Sequence, residues 1–532
     1  MNRTAPPTRG PAVLCLAVIA LLVTPATASA QVAASEAARI ASRDAKVIKE
    51  QRENGRLTHA VNKVDGNWEV GYFAADKEVA LVIVDPQTGL VRESWTGYQV
   101  AWKMARGYSG AFGHKLNAPY VFLPLCAVFL LGLVDWRRLR RVANLDLLFL
   151  LGFGASNFFF NRAEIGISVP LQYIPLTYLF GRALWIGMRG GGEGIRPRWP
   201  AAWLLIAALF LIGFRIGLNM ADSGAIDVGY AGVVGADRIA DGEPIYDNFP
   251  EDVSQGDTYG PVNYLAYVPF ERIWPWSGTW NDLPAAHGAA VFFDLATFAL
   301  LIFLGRRIRP GPAGNELAAT LAFGWAAYPY TAFTLLSNSN DSLVAMLLVA
   351  TLLVLSKPAT RGVMAALATF AKFAPAVLAP MLLTYSERRW RFVLAFAATT
   401  VAVMLWPAVD PGLHTFYERT IAYQAGRSSP FSIWGQVPSL EPLRVALLVG
   451  VAALSLLFAF RPKDKQLFQV AALGAAILIG VQLTMHHWFY LYIVWFYPLL
   501  LVAMAVRPPS VRHSAQPKAA RLTEGGLTAT PT

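Results

Sequence analysis

The stretch GVMAALATFAKFAPAVLAPMLL, residues 362–383, carries a single charge, Lys372, and two prolines, Pro375 and Pro380. A helix needs about 20 apolar residues to cross a bilayer, so this run is long enough to cross once, or to enter and turn back. Its flanks decide between the two. Lys357 and Arg361 precede it, and Arg388, Arg389 and Arg391 follow it. Cytoplasmic loops collect Lys and Arg, so both flanks belong on the same side. A single crossing would also strand Arg461, Lys463 and Lys465 opposite the earlier basic loops. We therefore expect residues 361–384 to form a re-entrant pair of short helices broken near the prolines. Irregular backbone at membrane depth must be buried in protein or line a wet cavity. A lone lysine at the bilayer centre costs about 2.5–3.5 kcal/mol, so Lys372 at the break reads as a cation facing such a cavity.

The rest of the chain supports a polytopic α-helical membrane protein. Of its 532 residues 55% are hydrophobic and 15% charged, well short of the roughly 25% charge of soluble domains. The net charge of +11 sits in short clusters between apolar runs, which argues for cytoplasmic loops rather than a nucleic-acid partner. Eleven spans are expected, at about 118–135, 146–160, 167–187, 200–219, 287–305, 316–334, 341–356, 391–408, 442–460, 467–484 and 488–506. The basic clusters Arg137–Arg141, Arg189 to Arg198 and Arg306 to Arg309 then fall on one side. The expected home is the inner cell membrane, with the large loops outside the cytoplasm and a polar tail, 507–532, within it.

At the N-terminus, Arg3 and Arg9 precede an apolar stretch and the small residues Ala28-Ser29-Ala30, the pattern of a signal peptide spanning 1–30. Residues 31–116 are polar and read as a small extracytoplasmic α+β module. A helix is expected at 35–53, with strands at 68–73, 78–84 and 90–95. The turn Asp85-Pro86-Gln87-Thr88-Gly89 has the residues a tight turn needs. The hairpin VDPQTGLVRESWTG (84–97) resembles PepSY-like domains, and the module holds no cluster with a catalytic look. Three additional helices, within 117–199, precede a core at 200–506.

The loop 220–286 interleaves Asp222, Asp227, Asp237, Asp241, Asp247, Asp252, Asp257 and Asp282 with many aromatics. Carboxylates beside aromatic faces suit sugar binding, and they also suit a segment lying at the headgroups. No Gly-rich phosphate loop follows a strand, which argues against nucleotide chemistry. No ligand spacing demands a divalent ion, and Cys15 and Cys126 form no metal or disulfide framework. No cofactor is expected.

Three stretches carry a family resemblance. The first is Asp227-Val-Gly-Tyr230, Gly242-Glu-Pro244-Ile-Tyr246 and Tyr259-Gly-Pro261-Val-Asn-Tyr264. The second is Ser337-Asn338-Ser339-Asn340-Asp341 with the run at 362–383 and Arg388-Arg389-Trp390-Arg391. The third is His486-His487-Trp488-Phe489-Tyr490-Leu-Tyr492 with Trp495 and Pro498. In order and spacing they resemble glycosyltransferase family 87 of the GT-C superfamily, whose members take sugar from a polyprenyl phosphate. The chain departs from the family in its front end, and in having Gly260 where the Tyr-Pro-Pro pattern has its first proline.

The resemblance implies transfer of a sugar, mannose in the family's mannosyltransferases, to a glycan or glycolipid acceptor outside the cytoplasm, with inversion. A phosphate leaves readily, so the acceptor hydroxyl needs one carboxylate base and the leaving phosphate needs cations or donors. Asp227 is the implied base, with Asp222 as its rival nearer the membrane end of the loop. His486, His487, Lys372, Arg427 and Arg215 are the expected donor-phosphate ligands. Tyr230, Tyr246, Tyr259 and Tyr264 are the expected sugar or acceptor contacts. Asn338, Asn340 and Asp341 read as caps and loop polars. The competing readings are a flippase for lipid-linked glycans, which calls for paired broken helices in an inverted repeat, and a membrane sensor.

Overall fold

The structure, a computed structural model, describes residues 31–107, 113–191, 194–427 and 429–506. It divides into two compact units, Met1–Arg106 and Gly107–Thr532. The expected signal peptide and C-terminal tail lie outside the described residues. The first unit ends at Arg106, short of the expected module boundary at 116.

In the first unit, helices α1 (Ala34–Ala41) and α2 (Ala45–Asn54) precede strands β1 (Thr58–Val64), β2 (Asn67–Ala74), β3 (Lys77–Val84) and β4 (Val91–Thr96). The strands pair antiparallel in sequence order. The single helix expected over 35–53 is two, because Asp44 caps α2 by accepting from the Lys46 amide at 2.8 Å. Strand β1 was not anticipated, since its residues are mostly exposed and show no alternation of apolar and polar. The core is made by Ala37, Ala41 and Val47 against Val70, Tyr72, Ala80, Val82 and Val84. Those sheet residues alternate along β2 and β3, as one face of a sheet requires. In the turn after β3, Asp85 accepts from the amides of Gln87 (2.8 Å) and Thr88 (3.0 Å) and pairs with Arg92. These donors hold its carboxyl down at about 2.

The second unit is helical. Its main elements are α3 (Pro119–Leu133), α4 (Val142–Leu151), α5 (Phe153–Phe160), α6 (Ile165–Arg189), α7 (Ala201–Ala221), α8 (Asp227–Asp241), α9 (Pro284–Ile308), α10 (Gly311–Ala327), α11 (Asp341–Leu353), α12 (Pro358–Ala371), α13 (Arg389–Pro407), α14 (Glu441–Phe460), α15 (Leu467–Thr484) and α16 (Ile493–Ala505). Six helices among the described residues are long and apolar enough to cross a membrane, against the eleven crossings expected. The difference has local causes. The stretch 316–334 is interrupted at Tyr328, after which Pro329 opens a separate short helix. The stretch 488–506 is α-helical only from Ile493, and α11 ends at Leu353.

Helices α15 and α16 form the buried centre. The additional front helices pack into that centre rather than standing apart. Gln469 of α15 donates to the Gly187 carbonyl of α6 at 2.9 Å, and Gln172 of α6 donates to the Phe431 carbonyl at 3.1 Å. Tyr490 joins the hydroxyls of Ser156 (2.7 Å) and Ser168 (3.1 Å). Each such bond satisfies a polar group that has no water to turn to.

Residues 358–386 double back. Helix α12 rises about 1.5 Å per residue, which places Lys372 roughly 16 Å from the level of Arg361. The chain then returns through residues 374–383. Arg361 donates to Ser386 at 3.0 Å and Thr384 to the Ala459 carbonyl at 2.5 Å, so both feet of the hairpin stand at one end. Other basic loops meet at that end. Arg307 donates to Ser356 (3.2 Å), and Ile195, beside Arg196, donates to Met504 (2.8 Å). Where the hairpin approaches the loop before it, a Cβ on Gly260 would lie 2.1 Å from the Phe370 carbonyl oxygen. Only glycine allows that approach, which gives a steric reason for its departure from the family pattern.

Arg215 of α7 and Asp294 of α9 are both buried and form an ion pair. Arg215 also donates to the Trp325 carbonyl and to Thr331, both at 3.1 Å, and Trp325 donates to Asp294 at 3.0 Å. Removing one member leaves the other charged and unpaired. Asp294→Leu is expected to cost about 3–5 kcal/mol, read as a lowered melting midpoint of the purified protein. The double variant Arg215→Met with Asp294→Leu should recover most of it. Gly260→Ala is expected to cost roughly 1–3 kcal/mol by overpacking, and an unchanged midpoint would show that the hairpin yields freely.

Candidate active site

Three chain segments set the position of Asp227. The loop Ser337–Asp341 bonds the chain that enters α8: the Ile226 amide donates to the Ser337 carbonyl at 3.1 Å. Asn219 donates to the Asn338 side chain and to the Leu335 carbonyl, both at 2.8 Å. Asn338 takes a left-handed φ of 45°, a conformation asparagine tolerates better than most residues. A Cβ on Gly229 would lie 2.0 Å from the Asn338 carbonyl oxygen, so α8 seats directly on this loop. Asp227 is then the first residue of α8 and accepts from the Val228 amide at 2.9 Å.

The Asp227 carboxylate is open to water-sized contact yet surrounded by protein, a group facing into a recess. That surrounding protein raises its pKa above the usual carboxylate range. Arg427 and Lys372 oppose the rise through space, and Asp341 adds to it. Tyr259 feels the same charges, and burial and Asp227 push its phenol up.

Lys372, at the turn of the hairpin, donates to Asp341 at 2.6 Å. Trp495 donates to the same carboxylate oxygen at 2.8 Å. The ammonium also lies 5.2, 5.4 and 5.1 Å from the ring centres of Tyr259, Tyr492 and Trp495, within cation–π range. Asp341 is fully buried. Its place in sequence suggests a loop polar, whereas the fold pairs it with Lys372. The signal was there: a buried lysine needs a carboxylate, and Asp341 opens an apolar helix.

Beside this cluster lies a cavity of about 460 Å³. Its polar wall includes Tyr259, Lys372, Arg427, Arg444, His486 and His487, and its apolar wall includes Ile421, Leu448 and Val481. Ile421 and Leu448 are also exposed on the outer surface of the bundle, so the apolar side of the cavity reaches that surface. Arg444 forks onto Glu441 (Nε–Oε2 2.8 Å) and donates to the Thr484 carbonyl at 3.3 Å. His486 meets Glu441 at 3.0 Å and His487 meets Ser429 at 2.9 Å. Burial, Arg427 and Lys372 push the His487 imidazole well below its usual pKa, so it is neutral near pH 7. Arg444 and Glu441 were not anticipated, although their i, i+3 spacing at the start of an apolar helix is a recognisable ion-pair pattern.

Of the expected ligands, His486, His487, Lys372 and Arg427 come together on this cavity, and Asp227 stands beside it within electrostatic reach. Arg215 is engaged elsewhere, with Asp294 inside the bundle, because a guanidinium in apolar surroundings is held only by a paired carboxylate. Asp222, the rival base, accepts from the Lys115 amide at 2.9 Å at the far end of α7. Of the four tyrosines only Tyr259 lines the cavity. Tyr246 donates to the Tyr259 carbonyl (2.9 Å), Tyr264 to the Gly256 carbonyl (2.8 Å) and Tyr230 to Asp252 (3.2 Å), so their hydroxyls shape the loop. Asp257, among the loop carboxylates, is fully buried and forked by Arg419 at 2.6 and 2.7 Å. No group of three His, Cys, Asp or Glu side chains able to hold a metal occurs among the described residues.

The arrangement offers a carboxylate of raised basicity, a cluster of cations and N–H donors, and an apolar wall open at the bundle surface. No curated protein matches the chain. Residues 258–522 match the family model of glycosyltransferase family 87, and with the apolar helices that match supports a GT-C-type membrane glycosyltransferase.

Proposed function

We propose that the protein transfers mannose from a polyprenyl-phosphate donor to a glycan or glycolipid acceptor on the extracytoplasmic face of the cell membrane, with inversion. One observation carries the reading: Asp227 stands within electrostatic reach of the cations of a cavity that has a polar wall and an apolar wall. The sidedness follows from charge. The loops bearing Arg196, Arg307, Arg361 and Arg389 lie at the end opposite the cavity, and the positive-inside rule assigns that end to the cytoplasm.

In this reading the donor phosphate lies among Arg427, His486, His487 and Arg444, and its isoprenoid chain leaves past Ile421 and Leu448. Arg427 and the histidine N–H groups stabilise the charge that gathers on the phosphate as the glycosidic bond breaks. Asp227 takes the proton of the acceptor hydroxyl as that oxygen attacks from the opposite face of the sugar. Its raised pKa makes it a stronger base than an exposed aspartate, while Arg427 and Lys372 act against the rise through space. Lys372, already committed to Asp341, holds the hairpin turn and the aromatic wall in place and contributes its charge through space.

Membranes containing the protein and a radiolabelled polyprenyl-phosphate mannose test this. Asp227→Asn should lower transfer by about 10²–10⁴-fold, the usual worth of a positioned base, while Asp222→Asn leaves it nearly unchanged. Undiminished transfer by Asp227→Asn would refute the base assignment. The wild-type rate should fall as pH drops through the raised pKa of Asp227. Its acid limb is therefore expected above the ordinary aspartate value of about 3.9, and a limb at or below that value contradicts the burial argument. Arg427→Gln should slow transfer and move that limb to higher pH, because the guanidinium is the largest charge holding the Asp227 pKa down.

A further inference from the structure

A second cavity, of about 700 Å³, lies at the opposite end of the helices. Its wall is built where α9, α11 and α16 end and α15 begins, together with the foot of the hairpin at Tyr385. Leu352, Leu353 and Phe468 supply an apolar floor, and Arg307 and Arg309 stand at the wall with Tyr385. Among the described residues no Asp or Glu contributes to the lining. Arg307 donates to a neutral hydroxyl, Ser356, so that contact leaves its charge unneutralised.

From this we propose that the cavity binds an anionic phospholipid, its phosphate against Arg307 and Arg309 and its acyl chains on the leucine and phenylalanine floor. Arginine matches phosphate geometry with paired N–H donors, and basic pockets between membrane helices suit acidic headgroups. The position agrees, since this is the end where the basic loops gather. Residues 507–532 follow the lining residue Val506 in sequence, and they carry Arg507, Arg512, Lys518 and Arg521 and a single Glu, Glu524. Like charge therefore argues against them as the occupant. The site is independent of the donor cavity and of the reaction proposed there.

The test is binding of a short-chain phosphatidylglycerol to the purified full chain, measured by thermophoresis or native mass spectrometry. Arg307→Gln with Arg309→Gln should weaken binding about thirtyfold, at roughly the worth of two membrane-surface arginines. Arg137→Gln with Arg138→Gln, which removes equal charge from the same end outside this cavity, should leave it unchanged. A matched phosphatidylcholine, and glycerol phosphate without acyl chains, should each bind much more weakly. Equal weakening by the two double variants would mean general surface attraction and overturn the proposal, as would equal affinity for phosphatidylcholine or for glycerol phosphate. Deleting residues 508–532 should not change the affinity; a rise would identify the tail as the occupant and also overturn it.

Discussion

An ammonium cannot rest in an apolar medium without a partner, and most of the second unit's architecture around the site can be traced to how Lys372 meets that condition. Its carboxylate partner, Asp341, is the first residue of α11, its three aromatic neighbours come from two further segments, and the lysine itself sits at the turn of the hairpin. One charge thus ties four parts of the chain together at a single depth. Desolvation makes each partner expensive to remove, so the turn is held where the cavity needs it.

The same constraint explains why the site has an inside. The hairpin turns among apolar helices, and irregular backbone there needs either protein or water around it. Protein covers the side toward α11 and α16, while the other side opens as the cavity lined by Arg427 and the two histidines. Asp227 belongs to the other half of the arrangement. It is held by main-chain bonds between the start of α8 and the Ser337–Asp341 loop, and that loop ends in the aspartate that pairs with Lys372. Asp227 and Lys372 are therefore positioned through one short, fully buried stretch of five residues, 337–341.

Legibility in the sequence followed the range of the interaction. The apolar runs, the basic flanks of residues 361–384 and the Asp85 turn were readable because each depends on neighbours within a few residues or on the membrane itself. Strand β1 was not, since an exposed edge strand carries no alternation. Six long apolar helices stand beside the eleven crossings expected, and hydropathy averages over a break such as Tyr328-Pro329 without registering it. Gly260 looked like a departure from a family pattern, and only the approach of Phe370 gives it a physical reason.

Among the candidate site residues, chemistry alone nominated too many. Arg215 near the end of a span and Arg427 in a loop offer the same guanidinium, and Tyr246, Tyr259 and Tyr264 share one loop. The sequence by itself determined which residue types were present for sugar transfer, and which loops are basic, since charge and hydropathy are properties of the chain read in order. Tertiary structure alone decided that Arg215 answers to Asp294, that Tyr246 and Tyr264 turn their hydroxyls to the loop, and that Asp341 meets Lys372. Each of those choices is a desolvated polar group finding its partner across tens of residues, and no spacing along the chain encodes which partner will be within 3 Å when water is gone.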